Sequence, residues 1–250
     1  MPSRDSEIPE NDARPYAYRT GRVEFFYLPF RSDERALVPR LETESLVREA
    51  LSILRSEPYG TVVDVGTGSG VIAVSIAKNR RDLRVLAVDA HAAPLSLARE
   101  NALANGIRVE CFQSDLLSGL SDDALLAPAP ADGPDRISPS PGAAPGILFL
   151  ANLPYVREGA SDLSPDTAYE PREALFGGPE TGFELTRRFL GEIEAFSRRH
   201  PDVPVRVACE VGDDHAEEIA AVAADFGREV RTFPDLLGVR RFFTYRIWPS

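Results

Sequence analysis

Apolar positions along this chain switch repeatedly between two periods, and each switch marks an element. From Thr43, the positions Leu46, Val47, Ala50, Leu51 and Leu54 recur at helical spacing. Thr43 or Glu42 lies at the start of this helix, and Gly60 follows its end. Apolar strand runs then alternate with helical stretches. The pattern predicts strands over 61–65, 83–88, 107–112, 146–150 and 205–210, and helices over 71–79, 93–105, 181–199 and 214–226. Two more strands, 228–233 and 242–248, follow one another directly, which predicts one antiparallel member. Upstream, residues 21–30 (GRVEFFYLPF) read as a short aromatic strand or hairpin ending at Pro29. Residues 1–20 are polar and read as a flexible tail, which leaves 21–250 as one domain. Strands alternating with helices predict an α/β fold: a seven-stranded, mostly parallel sheet with helices on both faces.

One segment breaks the alternation. Residues 127–146 hold 6 of the chain's 21 prolines, with many Ala and Gly, and read as a loop between strands because proline cannot donate to a ladder. No repeat of 20–50 residues is visible.

Composition narrows the function classes. Acidic residues outnumber basic ones, 39 to 28, for a net charge of −11, which argues against a broad phosphate-binding surface. The two cysteines, Cys111 and Cys209, are too few for a disulfide framework or a thiolate zinc site, and they read as small core residues of a protein in a reducing compartment. No apolar run is long enough to span a bilayer, and the polar N-terminus is unlike a signal peptide, so a cytoplasmic protein is expected. His91, His200 and His215 are scattered and read as surface or helix-end residues. No metal-ligand spacing occurs, and Asp213, Asp214, His215 and Glu217 read as a solvated helix start.

Three features at predicted strand ends carry chemistry. Asp64 is followed by Gly66-Thr67-Gly68-Ser69-Gly70 and then a helix. Glycines there let backbone approach a ligand, and the helix start offers free N–H groups. Nicotinamide dinucleotide folds use the different spacing Gly-x-Gly-x-x-Gly. This version resembles the cofactor loop of class I S-adenosylmethionine methyltransferases. Asp89 ends the next strand, 19 residues beyond Gly70, where a carboxylate can accept both hydroxyls of a ribose. Asp115, with Leu116, follows the third strand. Asn152-Leu153-Pro154-Tyr155 follows the fourth, at the carboxyl edge where doubly wound sheets bind ligands. An amide or exocyclic amine is a poor nucleophile because its lone pair is delocalised. Two acceptors gripping its N–H bonds orient the nitrogen and favour charge building there. The Asn152 side-chain carbonyl and the Leu153 backbone carbonyl can be those acceptors, with Pro154 fixing the turn and Tyr155 stacking on a planar group.

From about Gly21 to Trp248 the chain resembles the HemK/PrmC family of glutamine methyltransferases. Beyond the glycine loop, the likeness rests on Ala36-Leu37-Val38-Pro39-Arg40-Leu41-Glu42-Thr43-Glu44, on Leu163-Ser164-Pro165, on Tyr169-Glu170-Pro171-Arg172-Glu173-Ala174-Leu175 with Gly177-Gly178, on Ala208-Cys209-Glu210-Val211-Gly212, and on Asp235-Leu236-Leu237-Gly238-Val239-Arg240-Arg241. The resemblance implies a Rossmann-like class I fold with S-adenosyl-L-methionine as cofactor. It implies that Gly66, Thr67, Gly68, Ser69 and Gly70 hold its methionine end, under the segment from Pro39 to Thr43. Asp89 would hold the ribose, and Asp115 and Leu116 the adenine. Asn152, Leu153, Pro154 and Tyr155 would form the substrate clamp. Leu153 stands where the family carries a proline, and its carbonyl survives that change. Leu41 likewise replaces a proline. The family usually has a helical domain ahead of the core, where about 20 residues stand here. The implied substrate is a glutamine in the Gly-Gly-Gln loop of class I peptide chain release factors, with no membrane and no stable nucleic-acid partner. Three readings compete. Asn-Leu-Pro-Tyr is also similar to the motif of ribosomal RNA adenine dimethyltransferases, which would make this an RNA or DNA amino-group methyltransferase. The glutamine could belong to a ribosomal protein. A cofactor-binding interaction module without catalysis is the third.

Overall fold

A computed structural model describes residues 12–128, 146–161, 163–212 and 215–247. Helix α1 (Tyr16–Thr20) leads into a hairpin of β1 (Arg22–Phe25) and β2 (Leu28–Arg31), and α2 (Glu44–Ser56) follows a 3-10 turn at Leu41–Thr43. Next come β3 (Tyr59–Val65), α3 (Val71–Asn79), β4 (Arg84–Asp89), α4 (Ala92–Ala104), β5 (Glu110–Gln113) and α5 (Asp122–Leu126). After β6 (Gly146–Asn152), two short strands, β7 (Val156–Arg157) and β8 (Phe176–Gly178), precede α6 (Glu184–Arg199). The chain continues through β9 (Val205–Glu210), α7 (Ala216–Ala223), β10 (Arg228–Pro234) and β11 (Arg240–Ile247).

Seven strands form one sheet in the order β10-β11-β9-β6-β3-β4-β5. β11 runs antiparallel to both β10 and β9, while β3, β4, β5, β6 and β9 are parallel neighbours. The predicted sheet, with its one antiparallel strand, is the observed one. From β3 the chain winds outward through β4 and β5, then returns to β6 on the other side of β3. The carboxyl ends of β3 and β6 therefore flank the switch point where such sheets open a crevice.

Side-chain alternation explains why both faces are covered. Val63, Val65, Ile147 and Phe149 face α6 and α7, where Phe149 meets Phe189 and Phe196 edge-on at centroid distances of 6.4 and 6.3 Å. Their neighbours Val62, Leu148 and Leu150 join α2 and α3 on the other face. The Val71–Ala77 stretch of α3 is buried all round. A helix walled in by α2, α4 and the sheet has no polar side to show, which is why Ser75 is the one polar residue in that stretch.

The structure corrects several boundaries. The expected tail does not stay free up to residue 20: Tyr16–Thr20 is helical, Ala17 and Tyr18 are buried, and the Tyr18 hydroxyl donates to Ala36 O at 2.6 Å. The aromatic segment does not stop at Pro29. Phe26 and Tyr27 form a two-residue turn with φ of 49° and 61°, and β2 pairs back through Pro29. The long helix starts at Glu184 rather than 181, because the Glu184 carboxylate accepts the backbone N–H groups of Glu180 and Thr181 and holds them in a turn. The third strand begins at Glu110, three residues later than the apolar run suggests. Most of the proline-rich segment, residues 129–145, and Asp213 and Asp214 lie outside the described residues.

Candidate active site

A cavity of about 610 Å³ opens at the carboxyl ends of the central strands. Its floor is the turn after β3. Asp64, fully buried, accepts the Thr67 hydroxyl at 2.6 Å and the Ala73 N–H at 3.1 Å, which ties the turn to the first turn of α3. Burial pushes its carboxyl up to about 7, against the pull of those two bonds. Gly66 and Thr67 both donate to Val88 O, which clips the turn to β4. Gly66 has a φ of 71°, and a Cβ there would lie 2.8 Å from Leu153 Cδ2. Gly66, Thr67, Gly68 and Ser69 line the cavity. Gly70 is not part of its wall. It starts α3 with a φ of 82°, and a Cβ there would lie 2.9 Å from Ala98 Cβ, so this glycine lets α3 pack onto α4.

Asp89 ends β4 and is 9% exposed. Its Oδ2 accepts from Gly68 N and its Oδ1 from His91 N, both at 3.0 Å. Burial raises its pKa and the two N–H groups oppose the rise. Each oxygen keeps acceptor capacity beside the cavity, the arrangement a vicinal diol requires. Asp115 and Leu116 line the far end. Leu116 is buried with a φ of 50°, a costly backbone state for a non-glycine. Asp115 is mostly exposed and paired with Arg188 of α6. The sequence hides Arg188, whose i,i+4 spacing to Glu192 looks like an ordinary helix pair.

Asn152 ends β6. Its Nδ2 donates to Thr43 Oγ1 at 3.1 Å, and its Oδ1 accepts no hydrogen bond among the described residues. Asn152, Leu153 and Pro154 line the cavity. Tyr155 does not: its ring lies against Gly212, where a Cβ would come within 3.1 Å of Cδ2, and packs against the core face shared with α6 and α7. The motif is braced from behind. Val156 N donates to Leu175 O, Glu158 N to Gly178 O, and a Cβ on Gly177 would lie 2.1 Å from Pro154 O. Backbone packs on backbone here, which is why the Gly177-Gly178 pair belongs with the substrate motif.

Residues 34–40 form a strap over the cavity. Tyr18 holds it at Ala36, and Glu170 holds it at Val38 and Arg40. The Glu170 side chain is fully buried, so its pKa rises, and Arg40 counters the rise. Glu170 stands in a run that the sequence marks without giving it a role. His91, His200 and His215 all stand at helix ends. Cys209 is buried in β9, while Cys111 is half-buried in β5. Among the described residues, no group of three or more His, Cys, Asp and Glu could hold a metal ion, and no helix is long and apolar enough to cross a membrane.

A sheet wound in this order, with a glycine turn after β3 and a buried carboxylate ending β4, is the fold of class I methyltransferases. The family model for the methyltransferase small domain matches residues 46–126, which carry both features. A release factor glutamine methyltransferase of Rhodopirellula baltica is 37% identical over 189 residues, 72% of this chain and 57% of that protein. One from Deinococcus radiodurans is 32% identical over 234 residues, 93% of this chain and 74% of that protein. The chain thus spans little more than half the length of the first relative. The catalytic domain of human METTL16, solved in complex with a MAT2A 3′UTR hairpin, superposes with a TM-score of 0.58 at 13% identity, over 88% of this chain and 76% of that one, and shares the fold alone. This chain belongs to the release factor glutamine methyltransferase family.

Proposed function

We propose that the protein transfers a methyl group from S-adenosylmethionine to the side-chain amide nitrogen of a protein glutamine, in the Gly-Gly-Gln loop of a class I peptide chain release factor. The observation that carries this reading is Asn152. Its NH2 is committed to Thr43, which leaves Oδ1 as an acceptor beside the cavity and next to the Leu153 carbonyl. Those two oxygens would grip the two N–H bonds of a planar amide and aim its nitrogen into the cavity. As charge builds on that nitrogen, both acceptors gain strength, and this differential stabilises the transition state.

The cavity suits the cofactor on its own chemistry. Asp89 would accept the ribose hydroxyls, Gly66 to Ser69 would cradle the methionyl end, and Leu116 would pack on the adenine beside Asp115. When bound, S-adenosylmethionine supplies a methyl group on a sulfonium centre. The strap from Glu34 to Arg40 would exclude water above it. The names of the relatives support the release factor as substrate. A cytoplasmic location follows from that substrate, and the net charge of −11 argues against stable nucleic-acid binding.

The test is mass spectrometry of an unmethylated release factor from the same source after incubation with the protein and S-adenosylmethionine. One added methyl on the Gly-Gly-Gln glutamine is expected. Asn152→Ala should abolish it while cofactor affinity stays within about tenfold. An unmodified peptide, with cofactor binding confirmed, would overturn the substrate. Methylated RNA in a parallel reaction would move the acceptor to an adenine amino group.

A further inference from the structure

Glu210 ends β9 directly beside Asn152 in the parallel ladder. It is 2% exposed, and its Oε2 has no hydrogen-bond partner among the described residues. Thr43 stands between the two: its Oγ1 accepts from Asn152 Nδ2 at 3.1 Å, which leaves its own proton to be donated, and Thr43 favours the ionised form of the Glu210 carboxylate. Thr43 is itself buried. A hydroxyl has one proton. While Thr43 donates it to Glu210, it has only lone pairs to offer Asn152, and those lone pairs select the NH2 end of the amide.

We infer that Glu210 is a positioning residue for methyl transfer: acting through Thr43, it fixes which end of the Asn152 amide faces the acceptor. This rests on the clamp proposed above. With the amide reversed, Asn152 would present N–H groups to the N–H groups of the acceptor, and the clamp would lose one of its two oxygens.

The charge state of Glu210 sets the hydroxyl direction. Burial pushes its carboxyl up to about 7, Arg241 and Arg40 favour the ionised form, and Glu42 opposes it. The ionised carboxylate takes the Thr43 proton. The neutral acid can donate to Thr43 instead, which frees the hydroxyl to turn its proton toward Asn152 Oδ1. Turnover therefore rises with pH through the neutral range.

The experiment compares wild type with Asn152→Ala, Thr43→Val, Thr43→Ser and Glu210→Gln. It reads kcat and KM on the release factor from pH 6 to 8.5, with calorimetric cofactor affinity and thermal unfolding as controls. Thr43→Val should lower kcat about tenfold or more with KM and cofactor affinity nearly unchanged, and should flatten the pH profile. Thr43→Ser keeps the hydroxyl and should restore most of the rate. Glu210→Gln cannot ionise, and its NH2 can donate to Thr43 as the neutral acid does, so it should hold kcat at the low-pH level of wild type and lose the pH dependence; wild-type kcat and pH profile in this variant would overturn the relay. If Asn152→Ala is inactive while Thr43→Val keeps wild-type kcat and pH profile, the relay is wrong and the clamp stands. A Ser variant as slow as the Val variant would reduce Thr43 to packing and also overturn the relay. A fully active Asn152→Ala would remove the clamp itself.

Discussion

Arg40 and Glu170 meet at 2.6 Å across 130 residues of chain, and the other Glu170 oxygen takes the Val38 N–H at 3.0 Å. One buried carboxylate thus anchors the strap from the far side of the cavity. Glu170→Ala removes both bonds. Hydrogen bonds to charged groups are worth about 1.5–3 kcal/mol, so cofactor affinity should fall roughly 10- to 100-fold. Calorimetric titration with S-adenosylhomocysteine checks this, and an unchanged Kd would mean that the strap closes without Glu170.

Asp89 is expected to matter more for binding than for chemistry. Asp89→Ala removes the proposed diol acceptor and also frees Gly68 N–H from its partner. The Kd for cofactor should rise about 100-fold or more, on the order of 3 kcal/mol. At saturating cofactor much of kcat should return. A kcat that stays low under saturation would place Asp89 in the chemical step.

Gly70 separates packing from binding. Gly70→Ala forces a Cβ against Ala98 at 2.9 Å on a backbone with a φ of 82°. The expected cost is about 1–3 kcal/mol of stability, read as a lower Tm, with cofactor affinity of the folded protein little changed. A normal Tm with lost affinity would return Gly70 to the cofactor loop's binding surface.

Asp64 gives the fold a pH dependence of definite sign. Its folded pKa, about 7, lies above its value in the unfolded chain. The folded state therefore holds a proton that the unfolded state releases, and this contribution is full below about pH 4 and lost as pH rises through 7. Asp64→Asn cannot ionise. Its Tm relative to wild type should climb between pH 5 and 8, and a pH-independent difference in thermal melts would rule the mechanism out.

The chain announces its central layers and conceals its loops. Helix α3 and strand β9 match their predicted ranges residue for residue, because the mainly apolar run of α3 starts straight after Gly70 and gives way at Lys78-Asn79, and that of β9, interrupted only by Arg206, stops at Glu210. Asp89 and Asn152 were legible for a related reason: in this topology, the residue that ends a central strand is at the crevice. Arg188 beside Asp115 was not legible, since 73 residues separate them and helical spacing disguises the arginine. Nor was the little sheet of β7 and β8. Two- and three-residue strands leave no periodic trace, and this pair exists because glycines let Gly177 press against Pro154 O. Tyr155 was legible only in part: its sequence position suggests stacking on substrate, and nothing in the sequence marks its packing beside Gly212, outside the cavity wall.

Leu153 occupies the space that a side chain on Gly66 would need, at 2.8 Å. The turn after β3 and the turn after β6 are therefore keyed to each other like two halves of a latch. Leu at 153 demands glycine at 66, whereas glycine at 66 tolerates a smaller residue at 153. The constraint between the two positions is asymmetric, and replacing the turn after β6 with one that carries a smaller residue at 153 leaves a void beside Gly66.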